Sequence, residues 1–401
     1  MLSEAQAIAP KLIETRRTLH QWPELSFEEY RTAALVAHRL HDLGIPHETE
    51  VARTGVVGWI GNGDGPTIAL RADMDALPIQ EETGLPFSSQ RPGVMHACGH
   101  DAHTAMLLGA AEILKRHEGE LRGRIQLIFQ PSEERIGVDG YSGAKLMVEE
   151  GVTADVDVIL GLHVDPSLEV GKIGVRPGPM MAAADRFEME ILGQAAHGAY
   201  AYLGVDAIVL AAQVINTAQT LVSRRIPAIH EGVVTFGTIS GGTRENIICD
   251  RVFLEGTVRS FDPAIRNQLQ QELEDVAAIA RHLGGDYRYR YFRGNPPVIN
   301  DGQLTGFVSR IGGQLFGVDH VVEAPKTTGG EDFSWYSCKT RGSFIRIGAH
   351  NPAWPGKHRL HTADFQIDEE ALVVGAALLA QSAQRWLYEY DPEHWRHVEN
   401  C

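Results

Sequence analysis

RIQLIFQPSEE, residues 124–134, decides how this chain folds. Its first seven residues are nearly continuous in apolar character, which suits a strand buried on both faces. Pro131 cannot donate to a sheet ladder and helps end the strand. Two carboxylates, Glu133 and Glu134, follow at once. In an open α/β sheet, ligands bind beyond the carboxyl ends of the strands, so this segment predicts both a sheet and a site at its edge.

The same construction recurs outward along the chain. PTIALRADM (66–74) reads as a strand with Asp73 and Asp75 past its end, VDVILGLHV (156–164) brings His163 and then Asp165, and SFIRIGAH (343–350) ends on His350. Helical periodicity separates them, in 5–21, 26–44, HTAMLLGAAEILKRH (103–117), SGAKLMVEEGV (142–152) and DEEALVVGAALLAQSAQRWL (368–387). Ser26 with Glu29 reads as a capping box, Gly44 as a helix stop and Asp368 as an N-cap. Apolar strands alternating with helices predict an α/β fold with a mostly parallel sheet sandwiched by helices.

Near residue 180 the pattern changes. DRFEMEILG (185–193), a helix over 204–224, GVVTFGTISGG (232–242), DRVFLEGTVRS (250–260), a helix over 264–284 and DYRYRYFRG (286–294) give the order β-α-β-β-α-β. The expected organisation is therefore a catalytic domain in two parts, 1–181 and 297–401, with an inserted ferredoxin-like α+β domain at 182–296.

Composition narrows the function. A chain of 401 residues is long enough for two or three domains. A formal net charge of −16 argues against a nucleic-acid partner, which needs clustered Lys and Arg. No apolar run reaches the length of a membrane span, and the N-terminal stretch has no signal-peptide pattern, so a cytoplasmic protein is expected. The four cysteines, at 98, 249, 338 and 401, form no CxxC pair and are read as free thiols or ligands rather than a disulfide framework.

MHACGHDAH (95–103) places Cys98 and His100 in a loop that enters a helix. A helix N-terminus favours thiolate. Thiolate, imidazole and carboxylate together are donors for Zn, Mn, Co or Ni, and two ions can share such a set. Two other roles for Cys98 compete: an inert buried thiol, and a Cys–His nucleophile. The second is disfavoured, because the surrounding acids raise the thiol pKa unless a metal is present. His103 and His117 are read as surface or supporting residues, and Asp75 on its own could simply cap a loop.

RADMDALPI, MHACGHDAHTAMLLGAA, QPSEE, GLHV, GGEDFSWY and HTADF, in that order, resemble the metal-dependent amidohydrolases that cleave N-acyl amino acids. That family includes aminoacylases, hippurate hydrolases, indole-acetyl-amino-acid hydrolases and carboxypeptidases of the same dinuclear metallopeptidase clan. The resemblance spans nearly the whole chain, and the inserted region matches the family's lid or dimerisation domain. It implies two divalent ions per subunit, of Mn, Zn, Co or Ni. Cys98 bridges them, His100 and His163 complete one site, and Glu134 and His361 the other. His358 competes with His361 on sequence grounds, and the place of His361 in HTADF favours it. The resemblance makes Glu133 the general base and has Asp75 orient a ligand histidine. His197, in GQAAHGAY, stabilises the tetrahedral oxyanion, and Asn246 and Arg259 hold the substrate's carboxylate or oxyanion. It also implies a homodimer or homotetramer, because family members often supply this histidine across a dimer interface. The chain departs from the family pattern at Ala201-Tyr202, Ala207, Cys249 and Ala363, none of them a metal donor, and the lid changes bear on substrate preference.

The expected function is hydrolysis of the amide of N-acetyl, N-benzoyl or aryl-acetyl amino acids. A carboxypeptidase or dipeptidase acting on short peptides is the alternative, and a catalytically silent metal-binding dimer a remote one.

Overall fold

The computed structural model describes residues 1–401 except Asn62, Val138, Lys357, His394 and 396–401. The chain forms two compact units: Met1–Gly178 with Ile299–Pro325 and Asp332–Cys401, and Pro179–Val298 with Lys326–Glu331.

The first unit is built on an eight-stranded sheet. From edge to edge its strands are His47–Val51, Gly55–Ile60, Arg124–Gln130, Thr67–Asp73, Val158–Glu169, Arg341–His350, Ile173–Val175 and Val321–Glu323. The four central strands, from Arg124–Gln130 to Arg341–His350, are parallel to one another. Antiparallel pairings flank them on both sides. Thr67–Asp73 is buried at every position, as expected of a strand covered on both faces. Helices His100–Arg116 and Glu370–Glu389 contribute most of their apolar residues to the core around this sheet.

Local signals held unevenly. Gly44 ends the helix Tyr30–Asp42 in a left-handed conformation (φ 64°). The Ser26–Glu29 capping box does not form. Glu24 caps this helix instead, accepting the N–H groups of Arg31 and Thr32 at 3.0 and 2.8 Å. Ser26 and Glu29 are diverted to long-range partners, Asp75 and Ser132, because bonds to those buried loops outcompete a local cap. Asp368 does accept the N–H of Glu370 at 2.9 Å. Of the cysteines, Cys98 and Cys249 are free. Cys338 is disulfide-bonded, which corrects the reading of all four as free thiols or ligands, and Cys401 lies outside the described residues.

The second unit has the order β-α-β-β-α-β. Its four-stranded sheet runs Asp286–Phe292, Ala183–Leu192, Arg251–Ser260, Gly232–Gly241, with every neighbour antiparallel. Burial alternates along Ala183–Leu192 and Arg251–Ser260, so one face packs and the other stays wet. Helices Ala207–Thr220 and Pro263–Ala277 cover the packed face through Leu210, Val214, Leu269 and Leu273. Asp206 and Asp262 cap those helices. No helix among the described residues is long and apolar enough to cross a membrane.

Candidate metal centre

The parallel strands of the first unit aim their carboxyl ends at one edge, and there the polar residues converge. Cys98, His100 and His163 place one donor atom each within 4.8 Å of one another, and so do Cys98, Glu134 and His361. Cys98 belongs to both groups. Its Sγ lies 3.3 Å from His163 Nε2 and 3.3 Å from His361 Nε2. His361 Nε2 in turn is 3.2 Å from Glu134. A third grouping joins His100, Glu133 and Glu134, so the Glu133 carboxylate stands beside both sets of donors.

Local backbone geometry explains how neighbours in sequence reach this point. Gly99 lies between Cys98 and His100 with φ 90°, a conformation that suits glycine, and a Cβ there would meet Val164 at 2.4 Å. Ser132 and His361 are left-handed without being glycine, at φ 46° and 62°. Such strain persists where surrounding bonds over-determine it. Ser132 donates its N–H to Glu29 at 2.8 Å, and His361 donates its N–H to Ala97 O at 2.8 Å. The second bond pins a residue near the end of the chain to the cysteine loop.

Asp75 holds three parts of the site together. It faces His100 Nδ1 at 3.1 Å and accepts the backbone N–H groups of Glu133 and Glu134 at 3.1 and 3.0 Å, with Ser26 Oγ at 2.6 Å. Beneath it, Arg71 bonds Asp73, Gln130 and Asp332, all buried. Asp332, from the GGED stretch, also accepts the N–H of Ala144. Sequence reasoning assigned none of Ser26, Glu29, Arg71, Gln130 or Asp332 a role in the site. The GGED motif and the charged Arg71 inside an otherwise apolar strand were the available signals. Burial and the nearby Asp75 push the Glu29 pKa up to about 7, against bonds from Thr54 and Ser132.

The electrostatics fit cations. Burial, together with Glu134, Glu133 and Asp73, pushes the Cys98 thiol well above its ordinary value. A free thiolate nucleophile is therefore disfavoured, and a cation is the natural partner for this sulfur. Burial alone would lower His100, yet Asp73, Asp75 and Glu134 push it up to about 10. His100 Nε2 is buried without a hydrogen-bond partner, and the buried Glu134 Oε1 has the His361 ring nitrogen, 3.2 Å away, beside it. An orphaned imidazole nitrogen and a carboxylate–imidazole pair beside a shared thiol are what two divalent ions would satisfy. His163 stays neutral, pushed well below its usual value by burial and by His103 and Arg346, as a metal ligand must be.

Other sequence candidates lie elsewhere. Asp165 bonds Ser167, and His350 packs against Trp354 at 6.2 Å. Neither joins a metal-binding group among the described residues. His358 faces the carbonyl of Asp364 at 2.8 Å and meets Trp354 edge to face, while His361 is the one beside Cys98.

In the second unit, His197 is exposed and pairs with Ile247, and Gly198 donates to Asn246 O at 2.8 Å, so His197 and Asn246 lie together. Arg259 is on strand Arg251–Ser260, opposite Ala184, whereas Arg251 is opposite Leu192 near the His197 end. Eight residues of strand, about 26 Å, separate the two positions. Within the second unit, Arg259 is not brought together with His197 and Asn246.

A model of peptidase family M20/M25/M40 matches residues 69–385. N-acetyl-L-cysteine deacetylase of Bacillus subtilis is 42% identical over 379 residues, 94% of this chain and 88% of that protein. IAA-amino acid hydrolase ILR1-like 4 of Arabidopsis thaliana is 40% identical over 94% of this chain and 86% of its own. The solved structure of the Bacillus subtilis YXEP protein, a dinuclear metal-binding peptidase of the M20 family, superposes with a TM-score of 0.84 at 38% identity, covering 96% of this chain and 100% of that one.

Proposed function

The chain belongs to peptidase family M20/M25/M40 and is a hydrolase of amide bonds, and from that premise we propose that it cleaves N-acyl amino acids to a carboxylate and a free amino acid. The acyl groups we assign are acetyl, benzoyl and aryl-acetyl. The observation that carries this reading is the sharing of Cys98 between two three-donor groups with Glu133 alongside.

Cys98, His100 and His163 would hold one ion and Cys98, Glu134 and His361 the other; Mn, Zn, Co and Ni all suit a thiolate–imidazole–carboxylate set. When bound, a pair of such ions supplies Lewis acidity at the scissile carbonyl and makes water a competent nucleophile near neutral pH. Glu133 acts as general base: it takes the proton of the attacking water and passes it to the departing amine nitrogen. Asp75 positions it through the Glu133 N–H, and orients His100 at the same time. His197 donates to the oxyanion of the tetrahedral species. Asn246 and Arg259 bind the substrate's carboxylate or oxyanion. The distance along the lid sheet between Arg259 and the His197–Asn246 pair supports a dimer or tetramer in which the two groups are supplied by different subunits. The division into catalytic segments 1–181 and 297–401 with a lid at 182–296 belongs to the same proposal. So does a cytoplasmic setting.

A second reading, a carboxypeptidase or dipeptidase with the same chemistry, is favoured by the peptidase description of the YXEP protein. Metal-stripped enzyme reloaded with Mn, Co, Ni or Zn and offered N-acetyl, N-benzoyl and indole-acetyl amino acids beside dipeptides decides between them. Turnover of acyl amino acids is expected. Turnover of dipeptides alone would transfer the assignment to the peptidase, and no turnover with any metal would overturn both.

A further inference from the structure

His103 stands in the first turn of helix His100–Arg116, three residues after His100 and so on the same helix face. It is fully buried, and both ring nitrogens are engaged. Nδ1 lies 2.6 Å from Asp73 Oδ1, and Nε2 accepts the N–H of Val164 at 2.9 Å. Asp73 is held as an acceptor by Arg71, whose Nη1 donates to its other oxygen at 2.8 Å. The proton between His103 and Asp73 therefore sits on Nδ1, and Nε2 keeps the lone pair that Val164 N–H requires. A second proton on Nε2 would set two donors against each other, so this geometry admits one tautomer.

Val164 carries the consequence to the site. Its carbonyl receives the Nδ1–H of His163 at 2.7 Å, which leaves His163 Nε2 bare and facing Cys98 Sγ at 3.3 Å. The rings of His103 and His163 also meet edge to face, with centroids 4.6 Å apart.

We infer that His103 is a positioning residue for one metal ion of the pair: by fixing Val164 it locks His163 into the tautomer and orientation that present Nε2 as a ligand. The inference rests on the metal assignment above and adds to it a residue outside both three-donor groups assigned to the ions. Outer partners of a ligand histidine set its basicity and orientation, and their loss weakens metal binding about 10- to 100-fold.

The test compares His103→Phe, which keeps an aromatic ring without polar atoms, with His103→Gln, which keeps one donor and one acceptor. Each is stripped and titrated with cobalt, following thiolate-to-cobalt absorption and uptake by calorimetry, with anomalous scattering to locate the ions. The parent protein should take up two ions. In His103→Phe the ion at His163 should bind about 10- to 100-fold more weakly while the ion at Glu134 and His361 is retained, and His103→Gln should restore most of the loss. Unchanged affinity for both ions in His103→Phe, or equal weakening of both, would overturn the inference. Nitrogen-15 spectra of the parent's histidines decide independently of how the variants fold: finding His103 protonated at Nε2 would also overturn it. A parent that binds no ions at all would instead sink the metal assignment itself.

Discussion

His361 Nε2 lies 3.3 Å from Cys98 Sγ although 263 residues separate them along the chain. The contact closes the second group of donors, and the first is closed by His163, 3.3 Å from the same sulfur. Replacing Cys98 by Ala should therefore reduce metal occupancy at both positions, not one. Turnover should fall by more than the about 10- to 100-fold typical of losing an outer partner. Elemental analysis of the purified variant checks this; two ions bound with activity retained would remove the bridging role.

Glu133 lies beside both donor groups, and its backbone is held by Asp75. Glu133→Gln keeps the shape and removes the base. Turnover should drop about 10²- to 10⁴-fold with metal content unchanged. Loss of metal with the activity would make Glu133 a ligand.

His197 is exposed in the second unit and lies together with Asn246. His197→Ala should slow turnover about 10²- to 10³-fold, the cost of an oxyanion donor, and leave metal binding and folding alone. If an inactive His197→Ala subunit and an inactive Glu133→Gln subunit regain activity when mixed, the histidine is supplied across subunits. Near-normal turnover of His197→Ala alone would take it out of the mechanism.

Gly99 tests the backbone. Its φ of 90° and the Val164 methyl, 2.4 Å from where a Cβ would sit, both resist a side chain. Gly99→Ala should destabilise the fold by at least about 1–2 kcal/mol, the cost of a left-handed residue, with further loss from the clash. Thermal unfolding measures it, and metal affinity should fall in parallel because Cys98 and His100 flank the turn.

His20 makes stability depend on pH. Burial opposes its charge, but Asp101 and Glu81 outweigh burial and raise its pKa above 6.5. A group with a raised folded pKa stabilises fully below its unfolded pKa and loses that contribution as pH rises through the folded value. The gap in melting temperature between the parent and His20→Gln should be widest below about pH 6.5, the ordinary imidazole value, and narrow as the pH rises above it. A gap that stays constant over that range would assign the titration elsewhere.

Much of the architecture was legible because burial leaves a period. Apolar runs such as RIQLIFQ became strands of the parallel core, and the alternation in DRFEMEILG became a half-wet strand of the second unit. The capping box at Ser26–Glu29 misled because short-range patterns ignore competitors: Asp75 and Ser132 are distant in sequence and took both side chains. For the same reason His103 looked peripheral, since nothing near it in the chain announces Asp73 or the Val164 N–H as partners.

Residue types and their order determined by themselves that this chain has an α/β core with an insertion, that its strands end in acids and imidazoles, and that a helix begins at CGHD. Chemical identity is local, and so are the hydrophobic period and the conformational demands of glycine and proline. The family motifs pointed to a shared Cys98 and to His361 rather than His358; tertiary structure alone supplied the distances that bring both donor groups to one sulfur, and the bonds by which Asp75 ties the cysteine helix to the paired glutamates. Those are distances between atoms on different strands and loops, and a distance across a fold is set by how all the intervening elements pack, a quantity that no single stretch of chain contains.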